Sequence, residues 1–351
     1  MPKLDVKRNM LRATALLLAA AGLTLAQTAP KYAVDLTWPK PLPEKWVLGG
    51  LGGVCVDNND HVFLLNRQDV LPGDLNPGTM APPVIEMDQA GNVVHSWGDL
   101  KILDPRLHSC AFDKENNIWV GSAPSGMIQK YTHDGSKMLL QIGKKGVVDS
   151  SDGTIKGKPL NTPGPIFFMP SSIFVDRQNG DVYVSDGEGF DSNKRVAVFD
   201  RNGTFLRQWL PDMRRVHCMT IANDGTVYVC DRDGGKILLY DKMGKLSKSF
   251  DIPWTPATPF ADGKKRDNGG PAVAFDLSHD SAQKWMYLIN QETSQVHVIE
   301  RESGRIVSSF GRTGHFPGEF DQAHGIAVDS KGNLYLAENR GRRIQKFKLV
   351  K

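Results

Sequence analysis

One short pattern recurs six times along the chain. A turn bearing glycine, asparagine or aspartate is followed by an alternating aromatic or β-branched run: "DHVFLLN" (60–66), "NIWVGS" (117–122), "DVYVSD" (181–186), "TVYVCD" (226–231), "WMYLIN" (285–290) and "NLYLAEN" (333–339). Each follows another short strand, such as "GVCVD", "SCAFD" or "GIAVD". Repetition of this kind outranks any single-element reading, because it fixes the architecture of the whole chain.

A further pair of strands around a tight polar turn completes five of the units, as in "VIEMDQAGNVVHSW" and "VAVFDRNGTFLRQW". Four antiparallel strands per unit make a propeller blade. The sixth unit ends after its third strand, "RIQKFKLVK". "KYAVDLTW" (Lys31 to Trp38) is the simplest source of the missing strand, and such an exchange closes the ring and removes open sheet edges. The expected fold is all-β, a six-bladed β-propeller closed by an N-terminal strand.

The first residues stand apart. "MPKLDVKRNMLR" is a basic leader, followed by apolar "ATALLLAAAGLTLA" and polar "QTAP". This is the layout of a secretory signal peptide over residues 1–26, too short in its apolar part to span a bilayer permanently. The expected domain is therefore 27–351, exported to the periplasm or the extracellular space. Most of the net charge of +4 belongs to the leader, through Lys3, Lys7, Arg8 and Arg12. No clustered basic face is left to argue for nucleic acid or an acidic membrane surface.

Four cysteines do not make a disulfide scaffold in a chain of 351 residues. Cys218 and Cys230 flank the "NDG" turn, and the register that pairs Ala222 with Thr226 sets them opposite each other, within disulfide reach if the pair is of the non-hydrogen-bonded kind. A one-residue slip would remove that geometry. Cys55 and Cys110 are expected to be buried free thiols.

Aligning the inner strands on their apolar pattern gives one equivalent position per blade: Gly52, His108, Ser171, His217, Pro271 and His324. Histidine occupies blades two, four and six. Three imidazoles then converge on the channel axis, a donor set that suits zinc or a similar borderline divalent metal and leaves a coordination position open. The other six histidines, His61, His95, His133, His279, His297 and His315, fall mostly in outer strands and turns and are expected at the surface.

The start of an inner strand and the end of the next strand share a rim. That rim collects Asn66 and Arg67, Asp186, Glu188, Phe190 and Asp191, Asp231 and Arg232, Asn290, and Glu338, Asn339 and Arg340. Arginines there can clamp a carboxylate, and Glu188 can carry a proton. Two long loops, "RQDVLPGDLNPGTMAPP" and "GKKGVVDSSDGTIKGKPLNTPGPIFF", lie beyond ordinary hairpin length and point to function.

The segment "GRTGHFPGEFDQAHGIAVDSKGNLYLAENRGRRIQKF" resembles an NHL repeat, and the likeness extends over the mature chain. NHL-type blades, an exported chain and histidines in alternate blades together resemble the peptidyl-α-hydroxyglycine α-amidating lyases, which cleave a C-terminal α-hydroxyglycine to a peptide amide and glyoxylate. The resemblance implies zinc held by His108, His217 and His324, with Arg67 and Arg232 at the positions of the family's active-site arginines and a peptide C-terminus or small molecule as substrate. It also implies a calcium ion in the channel, for which no residues here can be assigned. The sequence departs from the family in three places. "VSDGEGFDSNKR" has Glu188 and Phe190 and no tyrosine where the family has a catalytic one. Gln322 replaces a methionine, and the family's disulfide positions are not reproduced. No oxygenase-type half accompanies the propeller, so a hydroxylated substrate is expected from elsewhere.

The leading expectation is a zinc-dependent carbon–nitrogen lyase, with Arg67, Arg232 and Glu188 as catalytic candidates. A metal-dependent hydrolase on the same site is one alternative. A non-enzymatic propeller that binds a protein or a glycan through its loops is another.

Overall fold

A computed structural model describes residues 28–43, 45–255 and 269–350. The expected signal peptide lies outside these residues. Six four-stranded antiparallel sheets form the blades. Their inner strands are Leu51–Val56, Leu107–Phe112, Pro170–Val175, Val216–Ile221, Ala274–Leu277 and Ala323–Val328. The second strands are Val62–Asn66, Ile118–Ser122, Val182–Asp186, Val227–Asp231, Trp285–Asn290 and Leu334–Glu338.

The core is six cores. Each apolar cluster lies between two consecutive blades; one joins Cys230 and Ile237 of blade four to Met286 and Leu288 of blade five, another joins Tyr335 of blade six to Leu64 of blade one. A strand clamped between neighbours is buried on both faces, so second strands read as continuous apolar runs instead of alternating ones. Outer strands such as Met138–Gly143 are largely exposed.

The ring closes as the sequence implies. Lys31–Val34 pairs antiparallel with Arg343–Val350, from Lys31 opposite Val350 to Val34 opposite Phe347. Pairing stops four residues short of Trp38 for a local reason. Asp35 Oδ1 accepts the Thr37 backbone N–H and hydroxyl, which turns the chain, and Trp38 drops into the core beside Tyr335.

Two expectations need correction. Cys55 and Cys110 are not free; they are bonded to each other, with 5.9 Å between their Cα atoms. They lie on the inner strands of neighbouring blades, a lateral proximity that hairpin register cannot reveal. Cys218 and Cys230 are bonded within blade four. The alignment of blade five is also shifted. Its equivalent position is Val273, whose carbonyl accepts from His217 just as Ser171 and Gly52 accept from His108 and His324, so Pro271 lies two residues early.

Candidate metal centre

At the start of each histidine-bearing inner strand the ladder slips by a β-bulge: Leu107 pairs with Ser122 but Ser109 with Gly121, and Ala323 pairs with Glu338 but Gly325 with Ala337. A bulge re-aims the extra residue. His108, His217 and His324 are thereby turned into the channel, with ring centroids 4.8 to 5.6 Å apart and planes at 75° to 84°.

Backbone carbonyls fix the tautomer of all three rings. His108 Nδ1 donates to Ser171 O (2.6 Å), His217 Nδ1 to Val273 O (2.6 Å) and His324 Nδ1 to Gly52 O (2.9 Å). A carbonyl only accepts, so each Nδ1 carries a proton, and the tautomer this selects keeps the Nε2 lone pair for the axis. This second bond is what orients a metal-binding imidazole. Burial drives the His217 pKa down to about 4 and that of His324 well below the usual histidine range.

The loop after Val182–Asp186 adds a fourth donor. Glu188 Oε2 lies 2.6 Å from His217 Nε2 and 3.4 Å from His108 Nε2. One ligand atom from each of His108, Glu188, His217 and His324 lies within 4.8 Å of all the others. His108 Nε2 and Glu188 Oε2 are buried without a hydrogen-bond partner. A buried lone pair left unsatisfied is costly, and four inward lone pairs fit a divalent cation. Burial opposes the charge of Glu188, yet the neighbouring His217, His108 and Arg232 hold its pKa well below the usual carboxylate range.

Arg67 and Arg232 occupy the same repeat position in blades one and four, one residue past the second strand. Arg232 Nη1 donates to Glu188 Oε1 (3.1 Å). Arg67 is buried, donates through Nε to Leu107 O (3.4 Å), and has no carboxylate within ion-pair distance among the described residues. Burial pulls its pKa down. Glu188 and Asp69 favour its charge from beyond ion-pair distance, without offsetting the desolvation.

The last residues of the second strands serve the fold. Asn66, Asp186, Asp231 and Glu338 each accept a backbone N–H from the segment leading into their own inner strand, from Gly49, Phe168, Arg214 and Asp321. Asn290 does comparable work for Thr293. Asp191 is exposed, and Arg340 pairs with Asp321 at 3.0 Å. Asn339 is partly buried, with its Nδ2 unpartnered. Phe190 is 74% exposed, with the Arg215 guanidinium 3.8 Å from its ring centre; Arg215 also meets Asp233 at 2.9 Å.

Sequence reasoning missed Gln291. It holds the arginine position of blade five, is buried, lies 3.5 Å from Arg232 Nη2 and donates to Ala323 O at 2.7 Å. Its place one residue after "WMYLIN" was the available signal. Of the six outlying histidines, His95, His279 and His315 are exposed, whereas His61 and His133 are half-buried against Glu86 and Asp57. His297 is buried and not a surface residue: Asn290 Nδ2 lies 3.2 Å from its Nε2, and its Nδ1 donates to Ser309 Oγ (2.7 Å).

Comparison with known proteins bears on the fold and on sequence likeness. The NHL repeat family model matches residues 320–347. A peptidyl-glycine alpha-amidating monooxygenase B of Xenopus laevis is 21% identical over 89% of this chain and 35% of its own length. A probable peptidyl-alpha-hydroxyglycine alpha-amidating lyase of Caenorhabditis elegans is 21% identical over 86% of this chain and 83% of its own. The human NHL repeat-containing protein 3 is 25% identical over half of each chain. The chain thus spans half or less of the length of the first two curated relatives it matches. Among solved structures, a streptogramin B lyase superposes with a TM-score of 0.58 at 15% identity, covering 91% of this chain and 98% of that one. The described residues form a six-bladed β-propeller in which residues 320–347 match the NHL repeat, and the sequence resembles the amidating lyases. No described helix is long and apolar enough to cross a membrane.

Proposed function

We propose that this protein is an exported zinc-dependent lyase that cleaves the carbon–nitrogen bond of an α-hydroxyglycine-like carbinolamide. The observation that carries the reading is the pairing of three inward Nε2 lone pairs with a buried, unpaired Arg67 at the same mouth. One group calls for a cation and the other for an anion. An α-hydroxyglycine supplies both partners, a hydroxyl oxygen and a carboxylate two bonds away. A bound divalent ion would contribute Lewis acidity at that hydroxyl oxygen.

This chain's own side chains divide the remaining work. Arg67 takes the substrate carboxylate in the bidentate geometry of a guanidinium fork, which holds the part that departs as glyoxylate. Glu188, on the metal side and paired with Arg232, receives the hydroxyl proton and returns it to the amide nitrogen as the carbon–nitrogen bond breaks. The products are a primary amide and an aldehyde, with no water consumed. Glu188 stands where the family's tyrosine is missing, which makes a carboxylate the proton carrier. Two disulfides accord with an oxidising compartment and so with export.

The test joins metal content to product analysis. Elemental mass spectrometry should find near one equivalent of zinc in the purified protein and none in a folded His108→Ala/His217→Ala/His324→Ala variant. An N-acyl-α-hydroxyglycine should yield glyoxylate and amide in equal amounts. Hydrolysis products without glyoxylate would point to a hydrolase. Absence of metal even after reconstitution would leave a binding propeller.

A further inference from the structure

The closest approach in the channel is between two groups that should repel. With Nδ1 donating to Val273 O, neutral His217 presents a lone pair at Nε2; Arg232 Nη1 reaches that nitrogen only at 3.4 Å, and 2.6 Å away stands Glu188 Oε2, also an acceptor. His108 repeats the arrangement, its Nδ1 donating to Ser171 O and its Nε2 unpartnered 3.4 Å from the same oxygen. His108 is only 5% exposed, so no bulk water relieves the contact. Either a proton or a metal cation must lie between such atoms. Protons are the poorer choice, because two imidazolium rings with centroids 5.3 Å apart would repel each other in a buried site.

The loop that carries Glu188 is built to keep it there. Gly187 and Glu188 both donate their backbone N–H to Met169 O, at 2.9 and 2.8 Å. Ser192 Oγ accepts from Gly189 N (3.0 Å) and donates to Gly189 O (2.8 Å), which closes the turn. Phe190 stacks on Arg215, and Arg232 anchors the outer carboxylate oxygen, Oε1. One carboxylate oxygen is thus held by Arg232 while the other faces the histidine nitrogens, the arrangement in which a hydrogen-bonded carboxylate ligates a metal.

We propose that Glu188 is a fourth protein ligand of the cation held by His108, His217 and His324, so that the empty enzyme is closed by its own carboxylate until a substrate oxygen displaces it. This rests on the metal reading above. It adds that the carboxylate is released, still paired to Arg232, at the moment a proton carrier is needed beside the substrate.

Metal affinity separates the possibilities without recourse to activity. Zinc affinity is measured by competition with a chelator of known strength for the wild type, Glu188→Gln and Glu188→Ala, and cobalt(II) is substituted to record the visible ligand-field spectrum. Both variants should bind zinc at least about 10- to 100-fold more weakly, and their cobalt spectra should differ in band position and intensity. Metal-free samples should share the wild-type urea midpoint, which shows that the fold is intact. Equal affinity and superimposable cobalt spectra would overturn the fourth ligand and leave the lyase reading standing, with Glu188 a base only. A wild type that binds neither ion would overturn both.

Discussion

Arg67 is where stability and function pull apart. A buried cation with no carboxylate in contact costs the folded state several kcal/mol in desolvation, which the more distant Glu188 and Asp69 offset only in part and a bound anion would recover. Replacing it by methionine, of similar length and no charge, should leave the melting temperature of the substrate-free protein unchanged or higher. The same Arg67→Met change should lower kcat/KM by about 100-fold or more, in keeping with the 2 to 5 kcal/mol lost when a buried charge pair loses one member. Thermal melts beside steady-state kinetics check it; a large fall in melting temperature would mean that Arg67 is structural. His297 gives a second residue-scale prediction, away from the channel. Burial lowers its pKa to about 4, and Asn290 donates to its Nε2, so the folded protein keeps the ring neutral where an unfolded chain, titrating near 6.5, protonates it. Below pH 6.5 the unfolded state binds the extra proton, so stability falls as pH drops toward 4, by on the order of 3 kcal/mol for this group. His297→Gln should lose that share of the acid slope in urea titrations between pH 7 and 4; parallel slopes for the two proteins would refute it.

At the scale of elements, the blades were legible because strand periodicity and turn residues repeat, and each repeat corroborates the others. The position of His108, His217 and His324 was legible for the same reason: one β-bulge recurs at the head of the inner strand. What failed were features that belong to the space between blades or to a loop. "GGPAVAFDL" offers two plausible apolar registers, and only the His217–Val273 bond shows which one the ring uses. Cys55 and Cys110 come together laterally, across blades one and two, where no sequence period reports contact. Glu188 was visible as a rim residue, but its approach to the histidines depends on a loop path set by Met169 and Ser192. The inter-blade disulfide has a consequence of its own. It closes a loop across a sequence separation of 55 residues, for which chain entropy gives about 4 kcal/mol at most. Cys55→Ala/Cys110→Ala should therefore unfold at a lower denaturant concentration by about 2 to 4 kcal/mol, with its inner-strand histidines and zinc content intact. Equal stability would show that the interface between blades one and two is already held by Phe63, Phe112 and their neighbours.

Across the whole molecule, the three-histidine cluster exists only because the ring is closed. Its three histidines come from alternate blades, no two of them adjacent, and each is oriented by a carbonyl of the following blade. The His324–Gly52 bond crosses the seam where the end of the chain meets its beginning. Closure depends on Lys31–Val34, which covers the edge of Arg343–Val350 and buries Tyr32 against Tyr287 and Phe310, at 5.5 and 5.7 Å. Metal binding and seam closure are therefore linked: an ion that binds only the closed ring stabilises it, by about 4 kcal/mol at a free concentration a thousand times Kd. A chain that begins at Asp35 should melt lower, and its apparent zinc affinity should fall in proportion to the fraction of molecules whose ring stays closed. The milder Tyr32→Ala, which keeps the strand but loses its aromatic anchor, should cost about 2 kcal/mol and shift affinity less. Melting curves with zinc and with chelator, run on the wild type, both variants and a His108→Ala control, measure the linkage. The zinc-dependent rise should be largest in the wild type, smaller in Tyr32→Ala, smallest in the truncated chain and absent in the control. A truncated chain that gains as much from zinc as the wild type would show that the three histidines are held by their own blades alone, and that the N-terminal strand guards an edge without positioning the site.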